Sequence, residues 1–365
     1  MSRSISILIC LLPALLPAAQ KPPSAPANGA ATVKERAPQR TPAASSSSAI
    51  GAATVKERAP QRTPTTPSVS FTRAPNTIHI LINNQPFTDL LYKAADNKPY
   101  LHPLRSASGK VVSRHYPMET VPGEDTEHPH HRGIAFTHGD VNGYNFWASE
   151  QEQKDPHQGR ILLDKIIRTQ GGRDSGILEA SFQWLTPKGE TLLREHRVMT
   201  FYAHPTLRII DFDIQLTAGQ APVRFGDTKE GSFYVRLGRE LSEDTGGTMI
   251  SSTGAKSEKN VWGRQADWVD DYGTVQGEQL GVAIFDHPGN PRHPTHWHSR
   301  AYGLLAVNIF GLHDFLNDKT KDGSLTIQPA ETLRFRYRVV VHPGDTATAN
   351  VATLYDEYCR QAGDK

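Results

Sequence analysis

Cysteine and long apolar runs are scarce in this chain of 365 residues. Only Cys10 and Cys359 are present, and Cys10 lies in a segment that we expect to be removed on export. No intrachain disulfide could then form, so a hydrophobic core has to hold the fold together. After residue 20 no segment approaches the roughly 18 apolar residues that a membrane-spanning helix needs. The sequence therefore predicts a mature protein without a membrane span.

Basic clusters are missing as well. Residues 1–65 carry eight Lys or Arg and two Glu, a net charge of +6, and because the whole chain is +2 the remainder stands at −4. A mildly acidic domain without a basic patch is a poor partner for nucleic acid. We expect no nucleic-acid partner.

Residues 1–19 have the layout of a secretory signal peptide. Arg3 supplies the positive end, residues 5–16 are mostly apolar, and residues 17–19 (Pro-Ala-Ala) are small enough for cleavage. An uncleaved anchor is the alternative, although the apolar stretch is short for one. We predict export to the periplasm or the extracellular space.

Residues 20–67 are rich in Pro, Ala and Ser and contain a duplicated segment. The 14 residues GAATVKERAPQRTP occupy positions 29–42 and again 51–64. Two copies with so few large apolar residues cannot bury a core, which argues against a solenoid. This segment is predicted to be a disordered spacer.

Residues 68–365 are predicted to form one all-β domain. Successive runs of β-forming residues, such as 177–185 and 191–202, end at turn signals that contain Gly or Pro. Residues 347–362 have the apolar stripe of a helix. The sequence predicts a large antiparallel β-sandwich with a C-terminal helix.

Histidine is concentrated in two places. The run HPHHR occupies residues 128–132, and THGDVNGYNFW follows at 137–147, after an apolar segment that predicts a buried strand. The second group, FDHPGNPRHPTHWHSRAYG, occupies 285–303. In an extended strand His296, His298, Arg300 and Tyr302 would share one face. The alternatives are a solvated loop for the first group and a structural hydrogen-bonded stripe for the second.

A third polar segment, DTKEG, occupies residues 227–231 and precedes an apolar strand. Lys229 beside Glu230 could be an acid–base or substrate-holding pair, or a surface salt bridge. We expect His131, His138, Glu230, His287, His298 and Arg300 to converge in one site.

The predicted roles follow side-chain chemistry. Imidazole and carboxylate groups exchange protons, and Trp, Arg and Asn bind ring faces and hydroxyls. The predicted catalytic residues are His131, His138, Glu230 and His298. The predicted substrate-binding residues are Arg132, Asp140, Asn142, Trp147, Lys229, His287, His296, Trp297, Arg300 and Tyr302. No cofactor is predicted, although His128 and His130 could be ligands of a divalent metal.

These motifs, in this order, resemble a bacterial family of unknown function often labelled "methane oxygenase PmoA". The resemblance covers residues from about 74 to 362 and rests on HPHHRG, THGDVNGYNFW, DTKEGSF and the segment 285–303. It implies a β-sandwich similar to galactose mutarotases, an architecture that binds sugars on a concave sheet face through His, Arg, Glu and aromatic side chains.

The residues and the resemblance together predict an exported carbohydrate-active protein. The leading hypothesis is an enzyme, of the glycosidase, lyase or epimerase class, that acts on a saccharide by His/Glu acid–base chemistry. One alternative is a saccharide-binding protein without turnover. The other is a metal-dependent oxidase or oxygenase, as the family label suggests.

Overall fold

The structure is a computed structural model that describes residues 68–148, 150 and 155–363. The predicted signal peptide and spacer lie outside these residues. Within them, none of the helices has both the length and the apolar character needed to cross a membrane.

The described residues form nineteen strands. They are β1 (Val69–Ala74), β2 (Thr77–Ile82), β3 (Gln85–Leu91), β4 (Tyr100–Leu101), β5 (Ile134–His138), β6 (Arg160–Gln170), β7 (Ser175–Leu185), β8 (Thr191–Ala203), β9 (Arg208–Ala218), β10 (Val223–Phe225), β11 (Gly231–Arg236), β12 (Thr248–Ser251), β13 (Gln265–Ala266), β14 (Trp268–Val275), β15 (Glu278–Asp286), β16 (Thr295–Trp297), β17 (Leu304–Asn308), β18 (Leu325–Ile327) and β19 (Thr332–Pro343).

These strands make two large antiparallel sheets. The first sheet has the order β1-β2-β3-β4-β5-β11-β17-β16-β13, and the second has the order β12-β14-β15-β19-β9-β8-β7-β6. Strands β10 and β18 pair separately. This arrangement confirms the predicted all-β antiparallel sandwich.

The core lies between the sheets and is built by alternation of side chains. Along β7 every second residue is buried, and the same pattern runs along β9. Their apolar side chains, together with those of β5 and β11, form one continuous hydrophobic cluster. A period of two residues places one face of each strand in this core, so the other face is left for solvent or for a site.

Three α-helices are present in the described part: α1 (Glu258–Val261), α2 (Leu312–Phe315) and α3 (Val351–Gly363). Helix α3 packs on the outer face of the second sheet, where Tyr355 and Tyr358 contact Phe285. It begins four residues later than the sequence predicts. Asn350 has a φ of 53°, which a helix cannot accommodate, so the helix begins after it.

Candidate functional site

The central strands of the first sheet provide the base of the site. Alternate residues of β5, β11 and β17 point either into the core or outward. Ala135, Tyr234 and Ala306 form one outward row across these three strands. All three are at most 1% exposed, so this outer face is covered by other parts of the chain.

The HPHHR loop covers that row and is bonded to it. The Tyr234 hydroxyl donates a hydrogen bond to the His130 carbonyl oxygen at 3.0 Å. The His131 ring then lies 5.1 Å from the Trp147 ring and 5.8 Å from the Tyr234 ring, measured between centroids. On the other side of Trp147, the His298 ring stacks at 6.1 Å.

The stack continues toward solvent. His128 lies parallel to His131 at 5.0 Å and parallel to Tyr302 at 5.0 Å. We call the whole assembly the ring cluster. Its members are His128, His130, His131, Trp147, Tyr234, His298 and Tyr302.

Several buried nitrogens of the ring cluster have no protein partner. Both ring nitrogens of His131, Nε1 of Trp147 and Nδ1 of His298 make no hydrogen bond within the described residues. Buried polar atoms are nearly always paired, because an unpaired one costs about 1–3 kcal/mol. Four such atoms around one aromatic face indicate groups arranged for a ligand.

Burial keeps these imidazoles uncharged. Desolvation lowers the pKa of His298 to about 3, with Arg300 and Lys229 acting in the same direction. Desolvation also lowers the pKa of His131 well below its usual value, assisted by His130 and Arg236. At neutral pH both rings are therefore neutral, each with one donor and one acceptor nitrogen.

The tautomer of His298 follows from its surroundings. The ring hydrogen-bonds to the Lys229 backbone, while Nδ1 has no partner. A backbone carbonyl can only accept, so the Nε2–H donates and Nδ1 carries the lone pair. Nδ1 is therefore a hydrogen-bond acceptor that has no partner among the described residues.

Charged side chains form the rim of the ring cluster. The Lys229 ammonium lies 3.0 Å from the Glu230 carboxylate, and both side chains are 38% exposed. Arg300 pairs with Glu258 at 2.9 Å and lies over the Tyr302 ring. Burial raises the pKa of Tyr302 to about 12; Arg300 and Arg236 act to lower it, and Glu230 and Glu258 act to raise it.

A buried ion network holds the loop that carries Trp147. The Arg132 guanidinium pairs with Glu150 at 2.5 Å and with Asp96 at 3.3 Å. Lys98 pairs with the same Glu150 at 3.1 Å and donates to the Trp147 carbonyl at 2.6 Å. The Arg132 donors are engaged with carboxylates of the protein, so its predicted role in substrate binding stays a prediction.

Sequence reasoning missed Arg236 and its partners. Asp125 bridges the buried guanidinium groups of Arg236 and Arg114, at 2.9 Å from each, and Arg236 lies 4.7 Å from the Tyr302 ring centre. The alternation of Ser232, Tyr234 and Arg236 along β11 was a signal that could have revealed this outward polar row. No comparable signal marks Asp125.

Two predicted site residues, His138 and Trp297, point into the core. The His138 side chain lies on the core-facing side of β5 and packs between Phe225 and Phe310. Trp297 also points into the core, where its Nε1 donates to the Ala266 carbonyl at 2.9 Å.

His287 lies on the other sheet. Its ring is 5.4 Å from Tyr358 of α3, and the core separates that face from the ring cluster. The predicted convergence is therefore wrong for His138 and His287. Strand parity and sheet membership decide these positions, and neither can be read from local composition.

The predicted polar stripe on one strand is also broken. Strand β16 ends at Trp297, and the chain turns so that Arg300 bridges Leu304. Tyr302 joins the ring cluster from this turn, whereas His296 stacks on Phe315 at 5.7 Å. Only part of the stripe therefore reaches the site.

Asp140 and Asn142 organise a turn at a sheet edge. The Gly143 N–H donates to Asp140 Oδ1 at 2.8 Å, and the Arg224 N–H donates to Asn142 Oδ1 at 2.7 Å. These bonds fasten the loop to β10. The structure does not bring either residue into the ring cluster.

The suggested metal ligands His128 and His130 are packed as rings, edge to face, with centroids 5.6 Å apart. In the part of the chain that the structure describes, no three His, Cys, Asp or Glu side chains are grouped to hold a metal ion.

The family of unknown function DUF6807 matches residues 77–356. The chain belongs to this family. The match gives no support to the methane-oxygenase label. A comparison of this DUF6807 chain with curated protein sequences finds no match.

Solved structures give a remote likeness. A galactose mutarotase-like protein from Clostridium acetobutylicum is similar over 75% of this chain and 95% of its own, at 10% identity and a TM-score of 0.35. The GH36 α-galactosidase AgaA from Geobacillus stearothermophilus is similar over 76% of this chain and 40% of its own, at 13% identity and a TM-score of 0.32.

A polysaccharide lyase is similar over 77% of this chain and 33% of its own, at 11% identity and a TM-score of 0.28. This DUF6807 chain thus spans about two fifths of the α-galactosidase. At these TM-scores the likeness carries no conclusion about activity.

Proposed function

We propose that the protein binds a saccharide at the ring cluster and acts on it by acid–base chemistry through His298 and Glu230. The observation that carries this proposal is the pair of neutral, buried imidazoles of His131 and His298, in which three ring nitrogens have no partner among the described residues, beside aromatic rings and an ion-paired rim. Ligand sites typically combine an aromatic lining with a few such polar groups.

His298 and Glu230 have different roles. Nδ1 of His298 carries a lone pair and accepts a proton from the bound sugar. Glu230, beside Lys229 at the exposed rim, returns a proton to the sugar, and both groups then exchange protons with solvent, so that His298 loses the proton it took and Glu230 regains the one it gave. The N–H donors that Arg300 and Lys229 do not use for Glu258 and Glu230 hold sugar hydroxyls or a carboxylate.

A site with one imidazole and one carboxylate favours an epimerase or lyase over a glycosidase. Glycoside hydrolysis ordinarily needs two available carboxylates. Glu258, the second carboxylate near Tyr302, is fully engaged: Oε1 pairs with Arg300 and Oε2 accepts the Ala301 N–H at 2.7 Å. One imidazole and one carboxylate suffice for proton abstraction and return.

Saccharide binding without turnover is the second candidate. The pKa of His298, at about 3, is far below the neutral range in which a general base is most effective. A site with neutral, poorly basic imidazoles is better suited to hydrogen bonding than to proton transfer.

The proposed location is outside the cytoplasm, on the basis of residues 1–19. When the complete chain is expressed in a bacterial host, we expect mature protein in the periplasm or medium, with its N-terminus near residue 20. Mass spectrometry of the fractionated protein tests this, and an intact N-terminus in the cytoplasm would contradict it.

The function is tested with a panel of neutral and acidic saccharides, measuring both binding and product formation. We expect His298→Asn and Glu230→Gln to abolish turnover and to leave the circular dichroism spectrum unchanged. His79→Gln is a matched control, because His79 is a half-exposed surface histidine paired with Asp89.

Two results would redirect the proposal. Binding that is retained without turnover by the wild type favours the second candidate. Activity that disappears on chelation and returns only with copper, iron or zinc contradicts the metal-free mechanism and favours a metal-dependent oxidase. Absence of saccharide binding at any concentration tested refutes both saccharide candidates.

A further inference from the structure

A separate cleft lies on the outer face of the second sheet. Its volume is about 540 Å³, within the range of small-molecule sites. Outward side chains of β7, β8, β9 and β19 form its base, and α3 forms one wall. Residues that line it include Val198, Tyr202, His287, Arg336 and Tyr358.

Three arginines of β19 face this cleft, because residues 334, 336 and 338 alternate with the core-facing side chains. The outer two are neutralised. Arg334 forms a two-point pair with Asp213, at 2.8 and 2.5 Å. Arg338 forms a two-point pair with Asp211, at 2.6 and 2.8 Å.

Arg336 is left as the central cation. Its guanidinium makes no hydrogen bond or ion pair within the described residues, although Asp213 lies opposite it in the strand register. The reason is that Asp213 is already engaged by Arg334. Arg336 therefore offers a planar set of N–H donors to the cleft.

His287 adds a second unpaired donor. The Gly289 N–H donates to His287 Nδ1 at 2.8 Å, so the proton of the neutral ring is on Nε2. Nε2 is buried and has no partner in the part of the chain that the structure describes, and the residue is 6% exposed.

The two donor groups are neighbours across a glycine. A methyl group on Gly289 would collide with Nη2 of Arg336 and would lie 3.2 Å from Nδ1 of His287. Glycine at this position lets the guanidinium approach the imidazole. The result is a pair of adjacent donors with no acceptor supplied by the described chain.

The remaining walls suit an organic group. Tyr358 packs against His287, and Arg338 lies 5.4 Å from the Tyr202 ring and 4.6 Å from the Tyr358 ring. Val198 is half-buried at the base. Aromatic and apolar walls of this kind contact the body of an organic ligand, and an inorganic ion would not use them.

We propose that this cleft is a second binding site, for an organic carboxylate, held by Arg336 and the His287 Nε2–H, with the aromatic and apolar walls of the cleft beside its organic body. The site lies on the opposite sheet from the ring cluster and does not depend on its function.

The test is calorimetric titration of the full chain with galacturonate and with benzoate. Neutral galactose and inorganic sulfate are the comparison probes. We expect at least one carboxylate to bind the wild type, and Arg336→Gln to weaken it by about tenfold or more, as expected for loss of a charged hydrogen-bond partner. Arg194→Gln removes an equal charge from an exposed arginine of the same sheet and should leave the affinity unchanged.

A second variant should act in the opposite direction. Asp213→Asn releases Arg334, so the cleft gains a cation and carboxylate affinity should rise several-fold. The His287 Nε2 resonance should shift on titration, which places the ligand beside that ring.

Several outcomes overturn the proposal. They are no carboxylate binding by the wild type, equal affinity in Arg336→Gln, sulfate binding alone, or Arg336-dependent binding of galactose as tight as that of galacturonate. Galacturonate bound at the ring cluster instead would be insensitive to Arg336→Gln and lost in His298→Asn.

Discussion

Acidification should destabilise the protein through the histidines of the ring cluster. Burial lowers the pKa of His130 to about 2 and that of His298 to about 3, and it lowers the pKa of His131 well below its usual value. In the unfolded chain each ring titrates near 6.5. Protons therefore bind the unfolded state first as the pH falls.

The sign and size of the change in stability follow from this difference between the folded-state and unfolded-state pKa values. The stability associated with each neutral ring is fully present above a pH of about 6.5 and decreases below it by about 1.4 kcal/mol per pH unit, until the folded-state pKa is reached. At a pH of about 5, each of the three rings costs about 2 kcal/mol, about 6 kcal/mol together. That is comparable with the whole stability of many domains.

The assay is denaturant unfolding at a series of pH values between about 7.5 and 4.5. The His298→Asn variant should lose one ring's share of the pH dependence, about 1.4 kcal/mol per pH unit. His79→Gln is the control for removing an imidazole outside the ring cluster.

A total loss below about 2 kcal/mol between pH 7.5 and 5 would refute the reasoning, because fewer than two rings would then be held neutral. If His298→Asn leaves the pH dependence of the unfolding free energy unchanged, His298 gains its proton in the folded protein over the same pH range as in the unfolded chain.

Three further outcomes can be measured. Burial lowers the pKa of His342, but the Asp270 carboxylate raises it to a net value above normal. The stability that the His342–Asp270 pair contributes is therefore complete below a pH of about 6.5 and is lost as the pH rises through the folded-state pKa. The loss of Tm in His342→Gln should be larger at pH 6 than at pH 9. Glu150→Gln should destabilise by about 3–5 kcal/mol, because Lys98 would stay buried without its carboxylate; calorimetry that shows no loss would argue that Lys98 is neutral. Trp297→Ala should cost about 3–5 kcal/mol in denaturant unfolding through the core cavity it leaves, and saccharide affinity unchanged after correction for folding would confirm that this Trp does not line the site.

The fold was predictable because alternation is a local property. The strand β7, predicted over residues 177–185, runs from Ser175 to Leu185 with every second residue buried. The two-residue period is visible in the sequence of the strand itself, and the turn residues that end such runs lie next to them in the chain. The same reasoning located the C-terminal helix but not its first turn, since Asn350 takes a left-handed conformation.

The site was predictable only where motifs adjoin the central strands. His131, Trp147 and His298 do meet, because the HPHHR loop, the loop after β5 and the end of β16 all lie over one face of the first sheet. His138 and His287 carry the same chemistry in sequence and lie elsewhere. Composition identifies side chains that can bind or exchange protons, but it does not state which face they occupy.

The sequence by itself determined the all-β class, the scarcity of cysteine that makes a hydrophobic core necessary, and the two polar segments from which site residues come. Tertiary structure alone decided which of them act together. Arg132 pairs with Glu150, and Arg336 has no ion pair among the described residues because Arg334 holds Asp213. Such outcomes depend on distances of a few ångströms between residues far apart in the chain, and local sequence patterns carry no information about those distances.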